Sequence, residues 1–287
     1  MARPRVTDVT DLLSLGSEVD WPDHAAAEVV RDRVADMAGL GQLAELAEWV
    51  SGVRPPSAQQ RFTRIRAVVF GAVSERSLAA DTAAAVGADL LIVDDLPAEA
   101  NKALLVGAKL VDSEVDSGAD LLIVAVPGLG SDSEIAVSVL TNTEPVKVLT
   151  RGAAATDPEA WMSLAIEVRD GRRRCMPLRD RPDEFLDALT SPPLAAAAGF
   201  LLRAAGRRTP VMLDGPAAAA AALIAYEAAP RAVRWWCAAD LGPDPVHELA
   251  LTRLGKRAIL GLGTGLGDGL AALLAVPVLQ VAVRLAA

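Results

Sequence analysis

The sequence has 287 residues, of which 52% are hydrophobic and 3% aromatic, and its formal net charge is −9. This apolar content excludes a disordered chain, because enough aliphatic surface is available to build a core. An acidic chain with few aromatic rings is repelled by phosphate backbones and offers little base stacking, which argues against binding of nucleic acid or anionic membranes.

The N-terminal part of the chain has a helical pattern. Apolar residues recur at helical spacing through residues 24–53, and Gly39 and Gly41 predict a turn between two shorter helices. A polar connector with two prolines follows at residues 54–64. We therefore expect a helical segment over residues 1–64 that packs on a larger α/β unit, residues 65–287.

Short apolar runs alternate with helical patterns from residue 65 onward. The first three runs are 67–70, 90–93 and 121–126, and helices are predicted between them at 77–86 and 99–115. Apolar strands that are separated by helices are typical of a parallel sheet covered on both faces. This βαβαβ order predicts a doubly wound, mostly parallel, Rossmann-like α/β fold.

The second half of the chain continues this alternation. Strands are predicted at residues 146–149, 211–213 and 233–237, and helices from residue 133, at 157–169, 182–206, 216–228 and 244–254, and after residue 269. The α/β unit is therefore expected to extend to the C-terminus.

Cysteines and histidines are few and scattered. The sequence contains neither a CxxC pair nor a zinc-ligand spacing among its two cysteines and two histidines, which are Cys175, Cys237, His24 and His247. We therefore expect no disulfide framework and no metal site. The N-terminus lacks the apolar core of a signal peptide, and the apolar run 270–285 is short for a bilayer span. These features predict a cytoplasmic protein that does not bind membranes.

A glycine-rich segment follows the predicted strand at 121–126. Gly128–Ser133 reads GLGSDS, and a helix is predicted to begin at its end. Glycines permit close backbone approach, and a helix N-terminus offers N–H groups to a phosphate. A tight turn with a helix cap explains the same residues, and the Asp132 carboxylate opposes an anion. Both interpretations stay open, and the absence of GxxxxGK[ST] argues against a P-loop.

A second glycine-rich segment, residues 261–269, reads GLGTGLGDG and contains Asp268. A carboxylate before a buried helix can serve as a helix cap or as a general base near a ligand. Asp214 follows the predicted strand at 211–213, where ligands of open α/β sheets bind, and the same two interpretations apply to it. For His247 we favour a hydrogen-bonded packing role over catalysis.

Short motifs also occur in an order that is typical of one enzyme family. They are GLGQL at 39–43, GAD at 118–120, GLG at 128–130, LDG at 213–215, DPVH at 244–247, LGDG at 266–269 and VPVL at 276–279. In this order the sequence resembles the nicotinate-nucleotide:dimethylbenzimidazole phosphoribosyltransferases of cobamide synthesis. The resemblance covers about residues 35–285.

The resemblance implies a function and partners. Members of this family transfer the phosphoribosyl group of nicotinate mononucleotide to a benzimidazole nitrogen, and nicotinate leaves. They have a Rossmann-like domain with a small helical part, form homodimers, and use no metal or redox cofactor. The implied partners of this chain are therefore a nucleotide, an aromatic base and a second copy of the chain.

The resemblance also implies site residues. Asp268 stands where the family has its catalytic glutamate, which acts as base towards the azole N–H. The implied phosphate- and ribose-binding residues are Gly128, Gly130, Ser131, Gly152, Asp214, Gly215 and Gly267.

Several family features are changed in this chain. The carboxylate at Asp268 is one methylene shorter, and the family's long loop after the first strand is reduced to residues 71–76. The Asn-Thr-Thr of the phosphate loop is replaced by residues 131–133, and its Arg-Gly-Thr-Gly by residues 151–154. Two functions therefore stay open: a transferase that is slow or altered in its acceptor, and an inactive relative that serves as a nucleotide-binding or partner subunit.

Overall fold

The computed structural model describes residues 11–54, 61–128, 131–150 and 156–287. The helices in these ranges are α1 (Leu12–Ser17), α2 (His24–Ala35), α3 (Gln42–Val53), α4 (Ala79–Val86), α5 (Ala100–Asp116), α6 (Asp132–Leu140), α7 (Pro145–Val148), α8 (Pro158–Cys175), α9 (Pro182–Leu189), α10 (Pro192–Gly206), α11 (Gly215–Ala228), α12 (Pro245–Leu254) and α13 (Leu270–Ala286). The strands are β1 (Ile65–Phe70), β2 (Ala88–Val93), β3 (Leu121–Ala125), β4 (Val211–Asp214), β5 (Trp236–Asp240) and β6 (Ala258–Leu260). Two short 3-10 helices are Met176–Leu178 and Pro230–Trp235.

One parallel sheet forms the centre of the molecule. Its six strands run in the order β2-β1-β3-β4-β5-β6, and each neighbouring pair is parallel. From β1 the chain first moves outward to β2 and then returns to the other side of β1 to form β3. The boundary between β1 and β3 is therefore the topological switch point, where the crevice of a doubly wound sheet lies. The predicted doubly wound α/β fold is confirmed.

Alternate residues of the strands face two different layers of helices. On β3, Leu122 and Val124 belong to the core cluster with helices α5, α10 and α11. Leu121 and Ile123 belong to the cluster with helices α3, α4 and α13. Because both faces are buried, the strand reads as a continuous apolar run rather than as alternating polar and apolar residues.

The N-terminal helices pack directly on this layered core. Helix α1 contacts α10, helix α3 contacts α13, and Val30, Val34 and Ala47 join α2 to α3. Arg203, on α10, donates hydrogen bonds to Glu18 and, over 2.9 Å, to Asp112 on α5. The division of the chain at residue 64 stays a prediction.

One predicted strand is wrong. Residues 146–149 were expected to be extended, but residues Pro145–Val148 form the short helix α7. Proline is favoured in the first turn of a helix, and α7 packs on α6, α8 and α12 instead of on the sheet. The β propensity of its valines is overridden by this packing.

Other boundaries also differ from the predictions. Strand β5 begins three residues later than predicted, because Pro230–Trp235 forms a 3-10 helix. The predicted helix at 182–206 is divided at Thr190, whose φ is +56°. Strand β6 was not predicted, since its three residues are too few to show a pattern. Within the described ranges, none of the helices is both long enough and apolar enough to cross a membrane.

Candidate functional site

The glycine-rich segment 261–269 lies across the carboxyl ends of the central strands. A Cβ added at Gly267 would lie 2.5 Å from the carbonyl oxygen of Val126, just after β3. A Cβ at Gly215, after β4, would lie 2.8 Å from Cα of Gly267. Both glycines have positive φ angles, +64° and +81°. Only glycine allows the backbones to pack this closely. The packing brings the glycine-rich segment 261–269 next to Val126, which leads into the glycine-rich segment 128–133.

Asp268 is held at this edge by two hydrogen bonds. Its Oδ2 accepts a bond of 2.5 Å from Ser77 Oγ, in the segment after β1, and its Oδ1 accepts one of 3.1 Å from the backbone N–H of Leu270. The residue is 6% exposed. A carboxylate has about four lone-pair positions, so these two bonds leave it able to accept further hydrogen bonds. Asp268 therefore bonds to the first residue of α13 and keeps free acceptor positions for a ligand.

Asp214, the last residue of β4, is fully buried and close enough to Asp268 for the two carboxylates to interact electrostatically. Its Oδ2 accepts a hydrogen bond of 2.7 Å from the N–H of Ala272, in the first turn of α13. The pKa of Asp214 is raised to about 7, mainly by burial and in part by the negative charge of Asp268, although the Ala272 N–H bond acts in the opposite direction. Asp214 thus joins the end of β4 to α13.

Asp240, the last residue of β5, is a buried acid that the sequence analysis missed. Its carboxylate accepts hydrogen bonds from the backbone N–H of Leu262 at 2.7 Å, and from the N–H and Oγ1 of Thr264 at 2.8 and 2.7 Å. The predicted strand ended at Cys237, so Asp240 was not identified as a strand-end acid. A strand prediction that extended to residue 240 would have shown an acid at the carboxyl end of β5, the position where ligands of parallel sheets bind.

The predicted phosphate-binding residues are only partly described. Gly128 is exposed, and apart from its chain neighbours no described residue lies within 4 Å of the position that its Cβ would take. Ser131 is 2% exposed and donates a hydrogen bond of 2.6 Å to Glu167 on α8. Gly130 and Gly152 lie outside the described residues.

Four carboxylates interact electrostatically near the N-terminus of α6, two of them in its first turn. They belong to Asp132, Glu134, Glu167 and Asp244. The pKa of Glu134 is raised to about 7, mainly by burial and in part by the three neighbouring carboxylates. Burial also raises the pKa of Asp132. Protonation of Glu134 near neutral pH therefore reduces the negative charge that a bound phosphate would meet.

His247 has a structural role, as the sequence analysis favoured. Its Nδ1 accepts a hydrogen bond of 3.0 Å from the backbone N–H of Gly242, and the residue is 1% exposed. Burial lowers the pKa of His247 to about 4. The ring is therefore neutral at physiological pH and holds the turn after β5.

The comparison with protein families gives the decisive observation. A family model described as phosphoribosyltransferase matches residues 96–287, which include Gly128, Asp214, Asp240 and Asp268. The chain belongs to this family. The family resemblance inferred from the short motifs is thereby confirmed.

Curated relatives carry the name nicotinate-nucleotide–dimethylbenzimidazole phosphoribosyltransferase. The protein from Mycobacterium avium is 33% identical, in an alignment of 324 positions including gaps that covers 92% of this chain and 93% of the relative. The protein from Corynebacterium glutamicum is 42% identical over 189 residues, 65% of this chain and 52% of the relative. The chain thus aligns with about half the length of its corynebacterial relatives.

Solved structures support the same fold. The crystal structure of CobT from Thermus thermophilus superimposes with a TM-score of 0.78 at 24% identity, and covers 92% of this chain and 95% of that protein. A second structure, of the phosphoribosyltransferase from the same organism, gives a TM-score of 0.74 at 22% identity. At these identities the likeness shows the shared α/β architecture.

Proposed function

We propose that this chain transfers the phosphoribosyl group of nicotinate mononucleotide to a benzimidazole-type base, with Asp268 as the catalytic base. One observation carries the proposal. The Asp268 carboxylate is fixed at the topological switch point of the sheet, by one bond from the segment after β1 and one from the start of α13. Ligands of doubly wound sheets bind at this position.

The reaction needs one proton transfer and one displacement. The azole N–H proton moves to Asp268, and an azole nitrogen forms the new bond to C1′ of the ribose. The bond between C1′ and the pyridinium nitrogen breaks, its electron pair returns to that nitrogen, and nicotinate leaves. A base that is already oriented lowers the barrier, because little side-chain freedom is lost in the transition state.

The nucleotide is proposed to bind at the carboxyl edge of the sheet. The N-terminus of α6 offers backbone N–H groups to the phosphate. Among the described residues other than its chain neighbours, none lies within 4 Å of the Cβ position of Gly128, so the backbone there can approach a ligand closely. Gly130, Ser131 and Gly152 complete the proposed phosphate site. Asp214, Gly215 and Gly267 are proposed to bind the ribose, because the backbones of Gly215 and Gly267 pack against each other next to Asp268.

The acceptor base is proposed to lie against apolar side chains near Asp268. Leu78 follows Ser77 directly and is 59% exposed, while Leu262 and Leu266 in the glycine-rich segment are 60% and 58% exposed. An aromatic base that covers these side chains removes apolar surface from water. Because Asp268 is shorter than the family's glutamate, the acceptor must approach its carboxylate more closely, which favours a slow reaction or an altered base.

The test is a direct assay of group transfer. The purified protein is incubated with nicotinate mononucleotide and a series of benzimidazoles, and mass spectrometry measures nicotinate and the ribazole phosphate. Equimolar release of both products supports the proposal. If the nucleotide stabilises the fold, by about 2.7 kcal/mol at 100 times its dissociation constant, but no base yields product, then the chain binds the nucleotide without transferring it.

We also infer a homodimer in the cytoplasm, as is typical of the family. Light scattering at several protein concentrations gives the mass of the particle, and a particle of twice the 29.8 kDa chain mass is expected. Fractionation of the source cells tests the location.

A further inference from the structure

We propose that Asp240 is a positioning residue, which holds the glycine-rich segment 261–269 so that Asp268 reaches the acceptor base. The inference rests on the proposed function, because it assigns Asp240 a part in the same reaction. Asp240 does not reach the reacting atoms in this scheme, and it acts only through the segment that carries Asp268.

The segment needs such an anchor because of its composition. Five of the nine residues between Gly261 and Gly269 are glycine. Glycine has the largest backbone freedom of all residues, so the segment has little conformational preference of its own. Its geometry must therefore come from contacts with the rest of the protein.

Asp240 supplies these contacts from the end of β5. Its two oxygens accept hydrogen bonds from the backbone N–H groups of Leu262 and Thr264 and from the hydroxyl of Thr264. Hydrogen bonds to a carboxylate are about twice as strong as bonds between neutral groups. Asp240 is 2% exposed, so its charge is shielded from water and is compensated by the donors of the segment itself.

The anchor lies only a few residues from the proposed base. Beyond Thr264, the chain passes Gly265, whose Cβ would lie 3.3 Å from Pro243, and reaches Gly267 on the carbonyl of Val126. The backbone is therefore held at 262–264 by Asp240 and at Gly267 by close packing. A shift at the first point is expected to reach Asp268, because only the three residues 265–267 separate it from Thr264.

Asp120 offers a matched control at the opposite edge of the sheet. Its carboxylate also accepts hydrogen bonds from two backbone N–H groups and one threonine hydroxyl, those of Thr63 and Arg64, at 2.8, 2.9 and 3.0 Å. Asp120 directly precedes β3, at the amino end of the strands. The same chemical arrangement therefore occurs once next to Asp268 and once far from it.

The first experiment compares Asp240→Asn with Asp120→Asn. In both aspartates, each carboxylate oxygen accepts a hydrogen bond from a backbone N–H. Whichever way the asparagine amide is turned, its NH2 group faces one of these N–H groups and cannot accept from it. Each variant therefore loses at least one hydrogen bond, while the size of the side chain stays the same. A displacement of about 1 Å can cost about 100-fold in rate. We expect kcat to fall about 10- to 100-fold in Asp240→Asn, with KM for the nucleotide little changed, and Asp120→Asn to lower only the melting temperature.

The second experiment asks whether Asp240 acts through Asp268. Residues that act as one unit show non-additive effects. We expect Asp240→Asn to lower the rate no further in a protein that already carries Asp268→Asn. The proposal would be overturned if the rate reduction in the double variant equalled the product of the reductions in the two single variants. It would also be overturned if Asp240→Asn had a normal kcat and only a lowered melting temperature.

A third measurement does not depend on activity. In Asp240→Asn we expect faster hydrogen exchange at Leu270, whose N–H is bonded to Asp268, and unchanged exchange there in Asp120→Asn. Unchanged exchange at Leu270 in Asp240→Asn would refute the positioning role. If the wild type lacks transferase activity while exchange responds as expected, the proposed function fails and the mechanical link between Asp240 and Asp268 stands.

Discussion

Ser77 Oγ donates a hydrogen bond of 2.5 Å to Oδ2 of Asp268, although 191 residues separate the two in the chain. The same hydroxyl oxygen accepts a bond of 3.1 Å from the N–H of Ala79, in the first turn of α4. The Asp268 carboxylate is thus connected through Ser77 to the start of helix α4. Its orientation is set by the folded protein before any substrate arrives.

Substitution of Asp268 by Asn should remove the proposed base while it keeps the size of the side chain. General base catalysis contributes about 10²- to 10⁴-fold, so nicotinate release should fall by that factor. The amide oxygen can still accept from Leu270, and the melting temperature should therefore change little. Asp81→Asn, an exposed acid on α4, serves as the control. Normal release by Asp268→Asn would remove this residue from the mechanism.

Substitution of Ser77 by Ala should release the Asp268 carboxylate from one of its two fixed bonds. We expect kcat to fall about tenfold, because the base must then be oriented at each turnover, while KM for the nucleotide changes little. Ser74→Ala is the matched control: it lies in the same segment and its Oγ accepts a bond from the N–H of Arg76. Equal kcat values for the two variants would show that the Ser77 bond does not contribute to catalysis.

Asp214 should make the stability of the fold decrease as the pH rises. Its pKa is about 7 in the folded protein and 3.8 in the reference state, so between these values the folded chain retains a proton that the unfolded chain has released. The contribution is present below pH 4 and is lost as the pH rises through 7. The difference amounts to about 4 kcal/mol at most.

The variant Asp214→Asn isolates this effect, because an amide does not titrate and its oxygen can still accept from Ala272. The free energy of unfolding, measured in urea between pH 4 and 8, should fall more steeply with pH in the wild type than in the variant. Effects of Glu134 and His247 are common to both proteins and cancel in the difference. Parallel curves would contradict burial of Asp214 as an acid with a raised pKa.

Alanine at Gly267 should disrupt the contact between the glycine-rich segment and the end of β3. The φ angle of +64° costs about 1–2 kcal/mol for a residue with a Cβ, and the clash with the Val126 carbonyl adds about 1–3 kcal/mol. Gly87 has a φ angle of +69°, and no described residue approaches its Cβ position within 4 Å. Gly87→Ala should therefore show only the first cost in urea denaturation. Equal losses in the two variants would show that the backbone contact is unimportant.

Local pattern in the sequence was sufficient to predict most elements of the fold. The apolar runs of β1 and β3 and the glycine after α4 each depend on neighbours within a few residues. Such patterns can be identified without the tertiary structure, because the periodicity of a strand or a helix is a property of one segment. They also identified Asp268 and Asp214 as acids at strand or helix ends, where both a capping and a ligand-binding role are possible.

Only the tertiary structure decided which distant groups meet. It converted the predicted strand at 146–149 into helix α7, which packs on three other helices, and it engaged the Ser131 hydroxyl with Glu167. It also brought Asp240 to the glycine-rich segment and Ser77 to Asp268. These outcomes depend on hydrogen bonds and packing between segments that are far apart in the chain, and no periodicity within one segment encodes them.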